Sequence, residues 1–293
     1  MADKSKGYKI FTVLNTVLLL AIAVACFYPF YYVLVASVSA PDALIRHRGL
    51  LFAPLQEMTL DGYRLVFSNR LVLSGYGNTL FVLIVGLLFN LVLTVLGAYV
   101  LSLKDLALRK PLTILVIITM YFSGGLIPTY LNVRELELLN SRWALILPGA
   151  ISTSNLIIMR SAFLSVPESL EEAARMDGAN HLQILGKVML PLVKATLAVM
   201  VLYYGVSHWN AWFGASIYLR DTSKYPLQLV LRNILMESQT GDMMADMDPS
   251  RSPQVLQLIK YSLIVVSSVP IICIYPFLQR FFQKGVMIGA VKG

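Results

Sequence analysis

The sequence predicts an all-α membrane protein with six transmembrane helices. Hydrophobic residues make up 57% of the 293 and charged residues only 14%, against about 25% charged in soluble domains. Mean hydropathy is +0.69. Six stretches approach the run of about 20 apolar residues that a helix needs to cross roughly 30 Å of hydrocarbon.

The expected spans are, in order, 10–36, 79–103, 111–131, 143–163, 195–217 and 261–279. Lys4, Lys6 and Lys9 precede the first, as in a signal peptide. Its apolar run continues through Phe30, Tyr31, Tyr32 and Val35, well past the roughly 7–15 residues of a cleavable core, so a retained helix is expected. The second has no charged side chain from Thr79 to Leu103. The third carries Ser123-Gly124-Gly125 and Pro128, the fourth Pro148-Gly149 with Arg160 near its end, and the sixth Pro270 and Pro276. Broken helices are tolerated in lipid only where neighbours or a watery cavity satisfy the freed backbone, so these breaks are expected to face the bundle interior. Cys26 and Cys273 fall inside spans and are expected to be small buried apolar residues.

Lys and Arg counts set the expected orientation. Segments 1–9, 104–110, 160–194 and 280–293 hold 13 bases and 6 acids, whereas 37–78, 132–142 and 218–260 hold 11 and 10 over a longer length. The positive-inside rule makes the first set, with both termini, cytoplasmic. Topology therefore accounts for the net charge of +8, and no nucleic-acid partner is expected. The whole chain, 1–293, is expected to form a single transmembrane domain with a cytoplasmic tail at 280–293.

The longest cytoplasmic loop, about 164–194, departs from the rest in composition. Ser165 and Glu168 have the spacing of a capping box, and Pro167 suits a first helical turn. Glu168, Glu171 and Glu172 complement the positive end of a helix dipole. A helix is expected to about Met176, where Asp177 and Gly178 supply a turn with a left-handed position. A second helix, about 180–189, would put Leu182, Leu185, Val188 and Met189 on one face until Pro191 interrupts it. The product is a helix-turn-helix knob.

Glu172-Ala173-Ala174, three residues to Gly178, then nine to Val188-x-Leu190-Pro191 resembles the EAA loop of permease subunits in ATP-binding-cassette (ABC) importers. Asp177-Gly178-Ala179 is similar to the carbohydrate class of that family, with Val188 where isoleucine is usual. The end of the chain, Gly285 to Gly293, resembles the maltose-type permease tail. Tyr121-Phe122-Ser123-Gly124-Gly125-Leu126-Ile127-Pro128 resembles the subset associated with larger saccharides, alginate importers included. The resemblance implies a multi-pass permease of the bacterial inner membrane that forms half of a translocation pathway for an oligo- or polysaccharide. It implies as partners a second, different permease subunit, two cytoplasmic ATPases that use ATP and Mg, a periplasmic or extracellular solute-binding protein, the saccharide and membrane lipid. Coupling to the ATPase would fall to Glu172, Ala173, Ala174, Asp177, Gly178, Leu190 and Pro191, and a tail contact to Gly285 and Gly289.

The residues themselves are consistent with a subunit that neither hydrolyses ATP nor binds a cofactor. No G-x-x-x-x-G-K-[ST] phosphate loop occurs, and Gly186-Lys187 is followed by Val188. His47, His181 and His208 are scattered, without an H-E-x-x-H zinc motif, so neither catalysis nor a metal site is expected. The alternative is a secondary transporter or channel for a small polar solute. Proton or sodium coupling usually places ionisable residues near mid-membrane, where this sequence has few.

Candidate pathway residues follow from sugar chemistry, in which rings receive C–H faces and amides bind hydroxyls. His208-Trp209-Asn210-Ala211-Trp212 offers both. Asn210, Trp209 and Trp212 are the candidates, with Tyr121 and Asn155 behind them. His208 reads as a helix-contact residue. Of the outer segments, 37–78 is expected to include short surface helices and 218–260 to meet the binding protein. Asp246 and Asp248 lack the ligand spacing for calcium.

Overall fold

The computed structural model describes residues 6–244, 257, 259–274 and 276, and every regular element among them is helical. The expected all-α class is therefore observed. The chain divides into two compact units, one drawn from residues 1–69 and 233–268, the other from 70–232 and 269–293.

In the first unit the long helix α1 (Lys6–Ser37) exposes apolar side chains such as Phe11, Leu14 and Leu18. At its end the chain turns back through α2 (Pro41–Arg46), and α3 (Asp61–Ser68) follows. Val35, Ala36, Leu44 and Leu51 form the local core. Three hydroxyls organise the returning loop: Leu51 N–H donates to Tyr28 at 2.7 Å, Tyr31 to Phe52 C=O at 2.6 Å, and Leu55 N–H to Ser39 at 3.2 Å. The short helices expected within 37–78 are these.

The second unit is built around α4 (Arg70–Ser102), 33 residues long. With α1 it is one of two helices among the described residues long and apolar enough to cross a membrane; counting each of three bent pairs as one span, the last of them joining His181–Leu192 to Lys194–Trp209, gives up to five. The expected third span is bent by 112° between α5 (Arg109–Tyr121) and α6 (Leu126–Glu135). Gly125 provides the corner at φ +87°. The expected fourth span is two tight turns over 142–149 followed, at 50°, by α7 (Thr153–Leu164). The expected fifth is interrupted at 210–212 between α11 (Lys194–Trp209) and α12 (Phe213–Tyr218). Gly and Pro residues thus divide the third and fourth of these segments, whereas the fifth is interrupted at Asn210-Ala211-Trp212.

The knob contains α8 (Glu168–Met176), α9 (His181–Ile184), a wide π-turn over Leu185–Met189, and α10 (Leu190–Leu192). Beyond α12 lie α13 (Leu227–Met244) and α14 (Ile259–Ile274). Cys26 and Cys273 are exposed on the chain rather than buried as expected, in keeping with helix faces that meet lipid or another subunit. Gly285, Gly289, Asp246 and Asp248 lie outside the described residues.

The break before α7 is satisfied by neighbouring helices, whereas the corner between α5 and α6, expected to face the bundle interior, is exposed over 121–128. Asn90 of α4 donates from Nδ2 to the carbonyls of Gly149 and Ala150, both at 2.9 Å. Its Oδ1 is 2.6 Å from His208 Nε2; an amide oxygen only accepts, so Nε2 carries the hydrogen. Tyr204 Oη accepts from Ser152 N–H at 3.0 Å and pairs with Thr94 Oγ1 at 2.7 Å. His208 crosses α4 at Gly86, where a Cβ would stand 2.7 Å from Nε2. His208 is thus a helix-contact residue, as expected. At the other end of α4, Asn78 Nδ2 donates to Ser223 and Tyr225 C=O at 2.7 and 3.1 Å, and Thr79 Oγ1 accepts from Leu227 N–H at 2.8 Å.

Candidate functional site

Helix α8 ends in a Schellman closure. Ala179 N–H bonds Ala174 C=O and Gly178 N–H bonds Arg175 C=O, each at 3.0 Å. Gly178 has φ +79° and nothing within 4 Å of a hypothetical Cβ, so its requirement for glycine is conformational rather than steric. The expected left-handed corner is observed. Two neighbouring details differ from expectation. Ser165 does not start α8: it is the C-cap of α7, its hydroxyl donating to Ala162 C=O at 2.7 Å, and Pro167 itself occupies the N-cap of α8. The capping box belongs instead to α9, where Asn180 Oδ1 accepts from Gln183 N–H and Gln183 Oε1 from Asn180 N–H, each at 2.9 Å.

Pro191 does not end the second helix. The wide turn over Leu185–Met189 lets the helix run on to Leu192, since the ladder there need neither accept the ring nor wait for its missing N–H. The bend comes at Val193, 86° into α11. Ile184, Leu185 and Met189 are buried, whereas Leu182, expected on the same face, is 71% exposed.

The candidate coupling residues divide by position. Ala174 and Leu190 pack against the core. Glu172, Ala173, Asp177, Gly178 and Pro191 are exposed, as is Met176 at 88%. On α8 the outward face is therefore Glu172, Ala173 and Met176, with little bulk at its centre. Glu168 pairs with Lys104, and Glu171 with Arg175 at 2.8 Å. Glu172 is engaged in no ion pair among the described residues. Beneath α8 lies a cleft of about 510 Å³ that Lys104, Asp105, Glu168, Glu171, Glu172 and Arg175 help to line.

Sequence reasoning missed the residues that hold this knob. Arg175 bridges Glu171 and Asp105, both at 2.8 Å. The hydrogen bond and charge of Arg175 hold the Asp105 carboxyl below the usual aspartate range. Tyr99 Oη lies 3.2 Å from His181 Nδ1, and Arg160 Nε donates to Leu101 C=O at 2.9 Å. The one local signal was Arg175 four residues after Glu171.

The candidate pathway residues fall on three separate regions. Trp209 is buried at 4% exposure against Tyr76, with ring centroids 6.4 Å apart. Asn210 and Trp212 flank the α11–α12 break; Asn210 is exposed, and Arg232 stacks on the Trp212 ring at 4.6 Å. Tyr121 is 77% exposed at the end of α5, and Asn155 is buried in the first turn of α7. A second cleft of about 390 Å³, beside Pro128 and the Leu147–Pro148 turn, presents Thr129 and Asn132, which sequence reasoning also missed.

Residues 106–288 match the family described as binding-protein-dependent transport system inner membrane component, and the chain belongs to that family. It is a multi-pass inner-membrane protein. It is 41% identical to the polygalacturonan/rhamnogalacturonan transport system permease protein YtcP of Bacillus subtilis, over 97% of this chain and 99% of that one. LplC of the same organism is 39% identical over 99% and 97% of the two chains. Among solved structures, a chain of a bacterial ABC transporter involved in the import of the acidic polysaccharide alginate superposes with a TM-score of 0.86. The two are 34% identical, over 96% of this chain and all of that one.

Proposed function

We propose that this chain is the permease subunit of an ATP-driven importer of acidic oligo- or polysaccharides, alginate or pectin fragments being the nearest chemistry. The observation that carries the reading is the knob: a glycine corner at φ +79° below a face of Glu172, Ala173 and Met176, where the Glu172 carboxylate makes no ion pair among the described residues. Such a face admits close approach, and Glu172 is available to a basic residue of an ATPase. Leu190 and Pro191 set the direction in which the knob joins α11.

In this reading the chain is one domain with six spans. The first five are α1, α4, the α5–α6 pair, the 142–164 stretch and α11 with α12; the sixth includes α14. Both termini and the knob face the cytoplasm. The chain is half of the pathway and is not itself catalytic. A second, different permease chain completes the pathway, two ATPases supply the ATP and Mg chemistry, and a solute-binding protein delivers the saccharide. Gly285 and Gly289 would reach the ATPase from the tail. Secondary transport is the weaker reading, because no Asp, Glu, Lys or Arg is buried among the described residues and His208 bonds an amide rather than a carboxylate.

The test is purification of the assembly from native membranes. ATPase chains should accompany this one, and hydrolysis should rise when binding protein loaded with oligogalacturonate or oligoalginate is added. Saccharide flux by this chain alone, without nucleotide, would refute the reading.

Trp212 and Arg232 together suit a uronate, the ring taking a C–H face and the guanidinium the carboxylate, with Asn210 beside them. Trp209, Tyr121, Asn155, Thr129 and Asn132 are further pathway candidates. Arg232→Gln should raise the half-saturating concentration of an acidic oligosaccharide about tenfold, one charge-assisted hydrogen bond being worth about 1.5–3 kcal/mol. Uptake kinetics with an oligouronate check it, and unchanged kinetics would remove Arg232 from the pathway.

A further inference from the structure

Helix α4 is held at three levels by polar contacts that reach other parts of the same unit. Near its start Asn78 and Thr79 bind the 223–227 turn, in its middle Asn90 binds the broken stretch before α7 and Thr94 pairs with Tyr204 of α11, and at its end it grips the knob. That last grip is the densest. Tyr99 meets His181 both by hydrogen bond and ring to ring, with centroids 6.2 Å apart, and packs edge-on against Phe163. Just beyond the helix, Lys104 pairs with Glu168 and Asp105 with Arg175. Two helices of the knob are thereby tied separately to one end of α4: α8 through Glu168 and Arg175, α9 through His181.

An exposed ion pair does little for stability, because solvent screens it and side-chain ordering opposes it. Three side chains from two knob helices converging on Tyr99, Lys104 and Asp105 do something different. They fix an orientation, and 33 helical residues carry it about 50 Å at 1.5 Å each. Without the clamp, the remaining covalent routes from the knob are α7 and the bent passage through Val193.

We propose that Asp105 and Arg175, with Tyr99 and His181, form a clamp that makes the knob and α4 one lever, so that ATPase movement enters the permease through α4 and reaches the Ser223–Leu227 turn. Asp105 and Arg175 are positioning residues here. The inference rests on the coupling reading above and adds the route. The clamp stays closed throughout the transport cycle.

The test uses the whole assembly in proteoliposomes, with Cys26 and Cys273 changed to serine. Asp105→Cys with Arg175→Cys should leave the assembled complex and its basal ATP hydrolysis near the parent level but lower saccharide imported per ATP about fivefold or more, the scale of ordinary coupling between sites. Joining the two thiols with a short bismaleimide should restore most of that ratio, and Asp105→Glu should keep it. A normal ratio before cross-linking, or no recovery or a further fall after it, would overturn the clamp. If the variant fails to assemble, Tyr99→Phe is measured in the same assay: it removes the His181 hydrogen bond while keeping the ring, and an unchanged ratio would likewise overturn the proposal. Failure of the parent assembly to couple ATP hydrolysis to import would instead refute the broader function.

Discussion

Gly178→Val should abolish substrate-stimulated ATP hydrolysis and uptake while leaving the complex assembled. The position has φ +79° and open space where a Cβ would stand, so the Cβ of valine meets no neighbour. It meets a backbone region that a β-branched residue scarcely visits, at about 1–3 kcal/mol. The flanking helices keep most of their own closures. Gly178 N–H can still bond α8, and the Asn180–Gln183 box still starts α9, whereas the Ala179 N–H bond depends on the left-handed residue. Relief therefore comes from opening the corner between them, which re-aims Glu172, Ala173 and Met176 relative to the partner. A reorientation that costs coupling about 2–3 kcal/mol lowers stimulation by at least tenfold. Gly178→Asn, whose side chain tolerates left-handed backbone, should retain much more activity, with Gly178→Ala between the two. Assay of stimulated hydrolysis and uptake on equal amounts of assembled complex decides it, and normal values for valine would remove the corner from the mechanism.

Local chemistry explains what could be read in advance. The uncharged run from Thr79 to Leu103 can hardly be anything but a span, and Asp177-Gly178 forces a turn whatever surrounds it. The breaks at Ser123–Gly125 and Pro148-Gly149 were equally visible. The groups that repair the second of these were not, because Asn90 lies 59 and 60 residues from the carbonyls it serves and 118 from His208. The knob shows the same division. Its outline was legible, whereas Asp105–Arg175 and Tyr99–His181 join positions 70 and 82 apart. The Ser165 error is instructive because the motif was present and locally plausible. The hydroxyl was already engaged by the end of α7, and the same signature in its Asn–Gln form stood fifteen residues later at Asn180. A capping box read from sequence presupposes where the preceding helix stops, which packing decides.

The second large effect is expected at Asn90→Leu. This one amide makes three hydrogen bonds inside the bundle, to the Gly149 and Ala150 carbonyls and to His208 Nε2–H. Leucine has similar volume and supplies none of them. Hydrogen bonds between membrane helices average about 0.6 kcal/mol and reach about 1.7, because the separated helices also find partners. Three bonds then suggest a loss of about 2–5 kcal/mol. The upper part of that range is favoured here, since the two carbonyls are freed by a helix break and cannot re-pair within their own helix. The purified assembly should melt roughly 5–15 °C lower. His208→Leu alone should cost less, because Asn90 keeps both carbonyls. The double variant should cost less than the sum, as the shared bond is lost only once. Gly86→Ala disturbs the same node from the other side, its Cβ falling 2.7 Å from His208 Nε2. A melting temperature for Asn90→Leu within a degree or two of the parent would mean that the break near Pro148 finds its partners elsewhere and that α4 does not hold the broken stretch in place.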